Sequence, residues 1–366
     1  MEWFDSGWGL SLTVFLPLAG AVIMMVIPRT SEAALKWVAL LTSLVTLAFS
    51  GVLVARFDFD AAAEFQFGTN LDWIPLINAN YHIGVDGISL PLVVLATLIT
   101  ALVVIYSWNH WPEPHNPKLL LILIMILAVG MTGTFVALDL VLFFVFFEIV
   151  LLPMYFMIGI WGDRTMRRVP VVNWEVELRL YASIKFFLFT LFGSAFMLLG
   201  FLALYFQSGT VGERTFDILE LTELGRAGVF TGAFAFWVFA ALGIGFAVKV
   251  PMWPLHTWLP DAHTAAPTVG SVILAAILLK LGTYGFIRIS LPILPDEFVR
   301  WAPLIGVLAV IGIIYGSLAC LAQTDMKRLI AYSSIGHMGF VMLGVAALTP
   351  VGLNAAIIGM VAHGVI

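Results

Sequence analysis

Along most of this chain apolar residues follow one another without the alternation of a strand or the one-sided stripe of a surface helix. Uncharged stretches about as long as a bilayer crossing run from Ser6 to Pro28, Trp37 to Ala55, Gly87 to Pro112, Leu119 to Leu138, Phe186 to Gly212, Ala227 to Val248 and Trp301 to Thr324. A helix needs about 20 such residues to span the hydrocarbon core. Two further spans carry one charge each: Leu140–Trp161 holds Glu148, and Pro267–Ile287 holds Lys280. Leu329–Ile366 is long enough for two, divided near Thr349-Pro350. The pattern predicts an all-α polytopic membrane protein with about eleven transmembrane helices, one transmembrane domain over residues 1–366. The expected helices are 9–27, 34–55, 87–108, 118–137, 139–160, 181–206, 228–262, 267–289, 302–323, 327–348 and 351–366, the seventh of them broken.

Composition narrows the class. Of 366 residues 61% are hydrophobic and 11% charged, with a mean hydropathy of +1.05. Soluble domains carry about 25% charged residues, so a soluble domain, a disordered chain and a nucleic-acid binder are excluded. A single cysteine, Cys320, excludes a disulfide framework and a self-contained Cys-ligated cluster; it reads as a small buried residue. The N-terminal Met-Glu-Trp-Phe-Asp has no basic segment, so the first helix is expected to be retained.

Charge sets the orientation. Alternate threading places ten of the 17 Lys and Arg residues in loops on one side, with Arg164, Arg167, Arg168, Arg179, Lys185, Lys327 and Arg328 among them. Five fall on the other, with Arg214, Arg226 and Arg288 among them; Lys249 and Lys280 fall in the membrane. The basic side is expected to be cytoplasmic and the N-terminus outside, in a bacterial inner membrane. On the acidic side, 57–86 suggests a hairpin around Gly68-Thr69-Asn70, and 207–226 is expected to be partly helical.

The candidate chemistry is a layer of ionisable groups. At about 1.5 Å per residue, Glu148 lies roughly 13–14 Å into its helix, Lys280 and His363 roughly 18 Å, and His337 roughly 15 Å. All four depths are near the middle of a core about 30 Å thick. A charge there costs roughly 2.5–3.5 kcal/mol and reads as functional by default. Lys249 ends an apolar run ahead of Pro251 and Pro254, so the helix is expected to break at Lys249–Pro254. Broken helices at this depth recur as ion sites in transporters. Glu148 is expected to face Lys249, and a proton to pass along Lys249, Lys280, His337 and His363. The plainer readings are a histidine bonding a neighbouring carbonyl, and a lysine snorkelling to the interface. His256 and His263 resemble a metal pair only superficially, because prolines interrupt the spacing.

The stretch Phe246-Ala-Val-Lys-Val-Pro-Met-Trp-Pro-Leu-His-Thr-Trp-Leu-Pro-Asp-Ala-His263, continued by Lys280-Leu-Gly-Thr-Tyr-Gly285 to Arg288, resembles the antiporter-like membrane subunits of proton-pumping NADH–quinone oxidoreductase, respiratory complex I. Val85-Asp-Gly-Ile-Ser-Leu-Pro91, Phe147-Glu-Ile-Val-Leu-Leu-Pro-Met-Tyr155 and Asp325-Met-Lys-Arg-Leu-Ile-Ala-Tyr-Ser-Ser334 match as well. The likeness is greatest to the subunit M (mitochondrial subunit 4) branch. It implies an antiporter-like fold of two inverted repeats, the second incomplete here, so that the chain is expected to be C-terminally truncated. It implies that Glu148 is the fifth-helix carboxylate, Lys249 the broken-helix lysine and Lys280 the eighth-helix connecting lysine. His337 and His363 then join the central axis. The chain is expected to hold no cofactor; NADH, FMN, iron–sulfur clusters and quinone belong to partner subunits, both membrane and peripheral. A multisubunit cation/proton antiporter or a membrane-bound hydrogenase would share the fold. A haem carrier using His337 and His363, and a purely structural subunit, are the readings from other classes.

Overall fold

The computed structural model describes residues 7–169 and 174–366; the N-terminal pentapeptide read above lies outside them. Two helices, α1 (Gly9–Val26) and α2 (Glu32–Arg56), precede a hairpin of β1 (Gln66–Ile74) and β2 (Ala79–Val85). Then come α3 (Leu90–Tyr106), α4 (Pro117–Val136), α5 (Leu140–Ile149) and α6 (Leu151–Trp161). A second hairpin, β3 (Met166–Val169) with β4 (Trp174–Glu177), leads into α7 (Leu178–Ser208), α8 (Ile218–Arg226) and α9 (Gly232–Lys249). After a break, α10 (Trp258–Ala265) is followed by α11 (Thr268–Ile273), α12 (Leu279–Gly285) and α13 (Leu291–Ile293). The chain closes with α14 (Pro295–Leu321), α15 (Met326–Ala346) and α16 (Pro350–Val365).

Among the described residues nine apolar helical spans are 18 residues or longer, with α3 and α16 slightly shorter. They account for the eleven expected crossings. The fold is an all-α polytopic bundle, and its two hairpins lie outside the spans. The first hairpin turns at Pro75–Asn78, not at Gly68–Asn70, which lie within β1. Asn78, with φ of 49°, supplies the left-handed corner. The second hairpin, in the basic loop, has too few residues per strand to show a sequence pattern.

Local chemistry explains the boundaries. The 139–160 span is interrupted at Val150, because Pro153 lacks an N–H and its ring crowds the carbonyl four residues back. Helix α14 starts at Pro295, earlier than the expected residue 302. Its proline fits the first turn, and Asp296 and Glu297 favour the positive end of the dipole. Arg288, counted with the acidic-side cations at the end of the 267–289 helix, is buried inside the α11–α13 span, and Lys185, counted with the basic side, lies within α7. Cys320 is partly exposed, not buried as expected; its thiol reaches the Leu329 carbonyl.

In lipid every backbone polar group must find an internal partner, and buried hydroxyls add bonds of their own. Thr13, Thr46, Thr100, Thr132, Thr134 and Thr190 donate to carbonyls four residues earlier. At the acidic side a small backbone mat closes the helix ends: Leu138 donates to His82, Leu140 to Phe216 and Ile218 to Leu138. Asp139 and Asp217 cap α5 and α8, and His82 bonds Asp217. At the basic side Arg179 donates to the carbonyls of Gly159 and Ile160 at the negative end of α6.

Candidate functional site: a buried row of ionisable side chains

The break after α9 is built by Pro251 and Pro254. Without a normal N–H at 251, the Met252 amide reaches back to the Ala247 carbonyl at 3.0 Å. The freed Val248 carbonyl accepts from the Trp258 indole at 2.9 Å, so α10 caps the half-helix that precedes it. Lys249 stands at this end, 2% exposed. Its ammonium lies 4.6 Å from the centre of the Phe147 ring and has no hydrogen-bond partner among the described residues. Glu148, next to Phe147, is half-buried and lies within electrostatic reach of Lys249. Among the described residues no ion pair within 4 Å joins them; an aromatic face fills the contact on the lysine side.

Lys249 approaches the next span closely. Gly282 makes this possible: a Cβ there would meet the Phe246 carbonyl at 2.6 Å and the Lys249 Cβ at 3.0 Å. Two residues earlier on the same helix, Lys280 is fully buried. Wide π-turns at Leu274–Leu278 and Phe286–Ser290 flank its segment. Such turns are frequent at functional positions. The Lys280 ammonium donates to the Ala275 carbonyl at 2.6 Å and lies 2.7 Å from His363 Nδ1. With Lys280 as an ammonium, which has donors only, Nδ1 accepts and the neutral ring carries its proton on Nε2. That Nε2–H donates to Ser334 Oγ at 3.1 Å, and Ser334 donates on to the Ile330 carbonyl. The His337 ring stands 5.4 Å from that of His363, on the exposed side of α15.

The structure therefore brings Lys280, His363 and His337 together, and Glu148 with Lys249. Gly282 lets the two groups approach each other. The proton balance at the first cluster is simple. If the Lys280 ammonium gives its proton to His363 Nδ1, an amine and an imidazolium remain, and Nε2–H is then free to leave.

A cavity of about 570 Å³ opens onto this cluster, with Lys327 and His263 toward the basic side and His337 and His363 deeper in. His263 is buried, and neither ring nitrogen has a hydrogen-bond partner among the described residues. Sequence reasoning set His263 aside with the rejected metal pair; its place two residues before the end of α10 was the signal. His256 instead meets the Tyr315 ring edge-on at 4.9 Å.

Asp261 is the second residue that sequence reasoning missed. One buried carboxylate accepts from Arg167 of the β3–β4 hairpin, from Lys185 of α7 at 2.8 Å and from Arg328 of α15 at 3.2 Å. Charge-assisted bonds are roughly twice as strong as neutral ones. The three hold α10, and through it the broken end at Lys249, to three other elements. A carboxylate one residue after Pro260 in a basic-side half-helix was a visible signal, given how many cations the basic loops supply.

Comparisons with known proteins agree over nearly the whole chain. The family model described as NADH:quinone oxidoreductase/Mrp antiporter, TM, matches residues 137–366. NADH-quinone oxidoreductase subunit M of Rhodobacter capsulatus is 43% identical over 366 residues, covering 98% of this chain and 68% of the relative. NADH-ubiquinone oxidoreductase chain 4 of Marchantia polymorpha is 40% identical over 360 residues, covering 98% and 67%. The chain thus spans about two thirds of the length of these relatives. Among solved structures, respiratory complex I from Thermus thermophilus with bound NADH contains a chain with a TM-score of 0.82 and 27% identity. That match covers 97% of this chain and 68% of that one. The Mrp complex from Dietzia sp. DQ12-45-1b shares the fold, with a TM-score of 0.80 and 22% identity, covering 97% of this chain and 36% of that one. The chain belongs to the NADH:quinone oxidoreductase/Mrp antiporter transmembrane family, and its membrane bundle is that of the antiporter-like subunits of complex I.

Proposed function

We propose that this chain is the proton-translocating subunit M of an NADH–quinone oxidoreductase, and that Glu148, Lys249, Lys280, His363 and His337 carry the protons. The observation that supports this most is the buried pair of lysines on adjacent spans, one bonded to a histidine, in a family whose relatives bear that name. NADH oxidation and quinone reduction, with FMN and iron–sulfur clusters, take place in the other membrane and peripheral subunits. This chain contributes no cofactor of its own. The basic-loop side faces the cytoplasm of a bacterial inner membrane, and the N-terminus lies outside.

In this reading Glu148 and Lys249 are a switch. When Glu148 approaches, the lysine holds its proton; when it withdraws, burial favours release toward Lys280. Lysine suits this because, unlike arginine, it releases a proton when buried. From Lys280 the proton passes to His363 Nδ1, and the Nε2 proton leaves toward Ser334 and the basic-side cavity; the reverse order loads the lysine. Moving one charge against 100 mV takes about 2.3 kcal/mol, so the partner subunits must shift the Glu148–Lys249 balance by at least that order.

The competing member of the same family is a cation/proton antiporter subunit. Inside-out vesicles from cells carrying the intact complex distinguish the two. Acidification on adding NADH, lost when this gene is deleted and restored by its return, supports the proposal. Sodium-dependent proton exchange that needs this chain but not the NADH-oxidising subunits would replace it.

A further inference from the structure

Eight residues beyond Lys280, at the acidic-side end of the same span, Arg288 is buried and donates to Asp86 Oδ1 at 2.6 Å. Between the two lies Tyr284, fully buried, so that Lys280, Tyr284 and Arg288 follow one another at successive turns of one helix face. The Tyr284 hydroxyl donates to the Phe135 carbonyl at 2.7 Å and accepts from Arg288 Nε at 3.0 Å. The Phe65 ring, from the segment before β1, covers the guanidinium at 4.8 Å. Asp86 does not stand alone: the same Oδ1 accepts the backbone N–H groups of Ile88 and Ser89, which fixes it to the start of α3.

Directly outside this pair is a cavity of about 890 Å³, larger than the basic-side one, with Asp86 and Arg288 in its wall beside Glu220, Glu223, Arg226 and Asn354. The two cavities approach the buried row differently. The basic-side cavity includes His363, the direct partner of Lys280. The acidic-side cavity stops at Arg288, about 12 Å along the helix from Lys280.

We infer that Arg288, Asp86 and Tyr284 form a gate that closes the acidic-side route to Lys280, and that the structure holds this gate shut. The inference rests on the proton-carrying role proposed above for Lys280. The chemistry of the gate is specific. A proton arriving at the Tyr284 oxygen has no exit, because the hydroxyl donates to a carbonyl that passes nothing on and its other side is held by a guanidinium. Arginine stays charged and neither takes up nor gives up a proton in passing. It also repels a cation moving outward from Lys280. Opening requires Arg288 to leave the anchored Asp86, which would join the large acidic-side cavity to the Tyr284 layer. Arg288 and Asp86 act by position; neither exchanges a proton with the substrate.

The test uses thiol accessibility in the intact complex, in membrane vesicles, with Cys320→Ser as background. Asn354→Cys lies in the acidic-side cavity, and Thr283→Cys is buried on the same helix between Lys280 and Arg288. With the gate intact, a membrane-impermeant thiosulfonate added on the acidic side is expected to modify Asn354→Cys and to modify Thr283→Cys more than about tenfold more slowly, the ratio set by a 1.4 kcal/mol opening cost. Adding Arg288→Gln or, separately, Asp86→Asn is expected to abolish that protection and raise the passive proton leak of the vesicles. Arg288→Leu with Asp86→Leu refills the space with apolar groups and is expected to restore both. Equal modification of the two cysteines with the gate intact would overturn the inference, a result that stands even if the gate variants do not assemble. Unchanged protection of Thr283→Cys in an assembled Arg288→Gln complex would also overturn it. Neither labelling result depends on NADH-driven transport, so loss of pumping in other variants bears on the proposed function and not on the gate.

Discussion

Lys249 and Lys280 are both buried lysines on neighbouring spans, yet their surroundings are opposite. Lys249 sits at the end of a broken helix, with an aromatic face against its ammonium and a carboxylate nearby but not in contact. Lys280 sits within a continuous span and is held by a carbonyl and an imidazole at hydrogen-bond distance. One site is poised for a partner to arrive or leave; the other is already wired to its neighbour. The difference assigns them separate tasks, the first a switch and the second a relay.

Removing the switch lysine is expected to have the largest effect. Lys249→Ala should reduce NADH-driven proton uptake by vesicles more than about tenfold, at least 1.4 kcal/mol on the barrier, with the complex assembled. Lys249→Arg should not restore it, because guanidinium does not give up its proton. Recovery in the arginine variant would reduce Lys249 to a fixed charge and erase the contrast. Next, His363→Ala should slow transport less than Lys249→Ala. It leaves the Lys280 ammonium with the Ala275 carbonyl alone, a cost of about 1–3 kcal/mol for a lost buried partner. If His363→Ala exceeded Lys249→Ala, the two roles would be reversed.

Gly282→Leu should be smaller in its chemical effect and visible first in thermal stability. The added side chain must displace the Phe246 backbone, and overpacking of this kind costs about 1–3 kcal/mol. A fall in transport that exceeds the stability loss would show that the spacing of the two lysines matters in itself. The smallest effect is expected for His337→Gln. Its ring is exposed at the outer edge of the cluster, the last of the proposed carriers, so transport should fall less than in His363→Ala. A severe loss there would move the relay from His363 to His337.

The spans, the break at Pro251–Pro254 and the burial of Glu148, Lys249 and Lys280 were legible because each is a local violation of an apolar pattern. A charge among twenty apolar residues, or two prolines after a lysine, needs no tertiary knowledge. What stayed hidden were pairings across the bundle. Arg288 reads as a solvated helix-end cation until Asp86, 202 positions away, is placed against it. Asp261 reads as a helix-end acid until Arg167, Lys185 and Arg328 converge on it from three elements. The β3–β4 hairpin and the π-turns around Lys280 left no periodic trace, since four residues are too few for an alternation and one extra residue per turn does not change an all-apolar face. Pro153 did mark the interruption at Val150, but a proline in the middle of a long apolar run is also tolerated as a mild kink, so the pattern alone left the span whole.

The central claim is that the coupling of Glu148 to Lys249 drives proton transfer. Glu148→Gln keeps the size while removing the charge, so it isolates that coupling. In vesicles bearing the assembled complex, proton uptake per NADH oxidised is expected to fall well below that of the parent chain. Uptake per NADH equal to that of the parent chain, at an equal oxidation rate, would contradict the account.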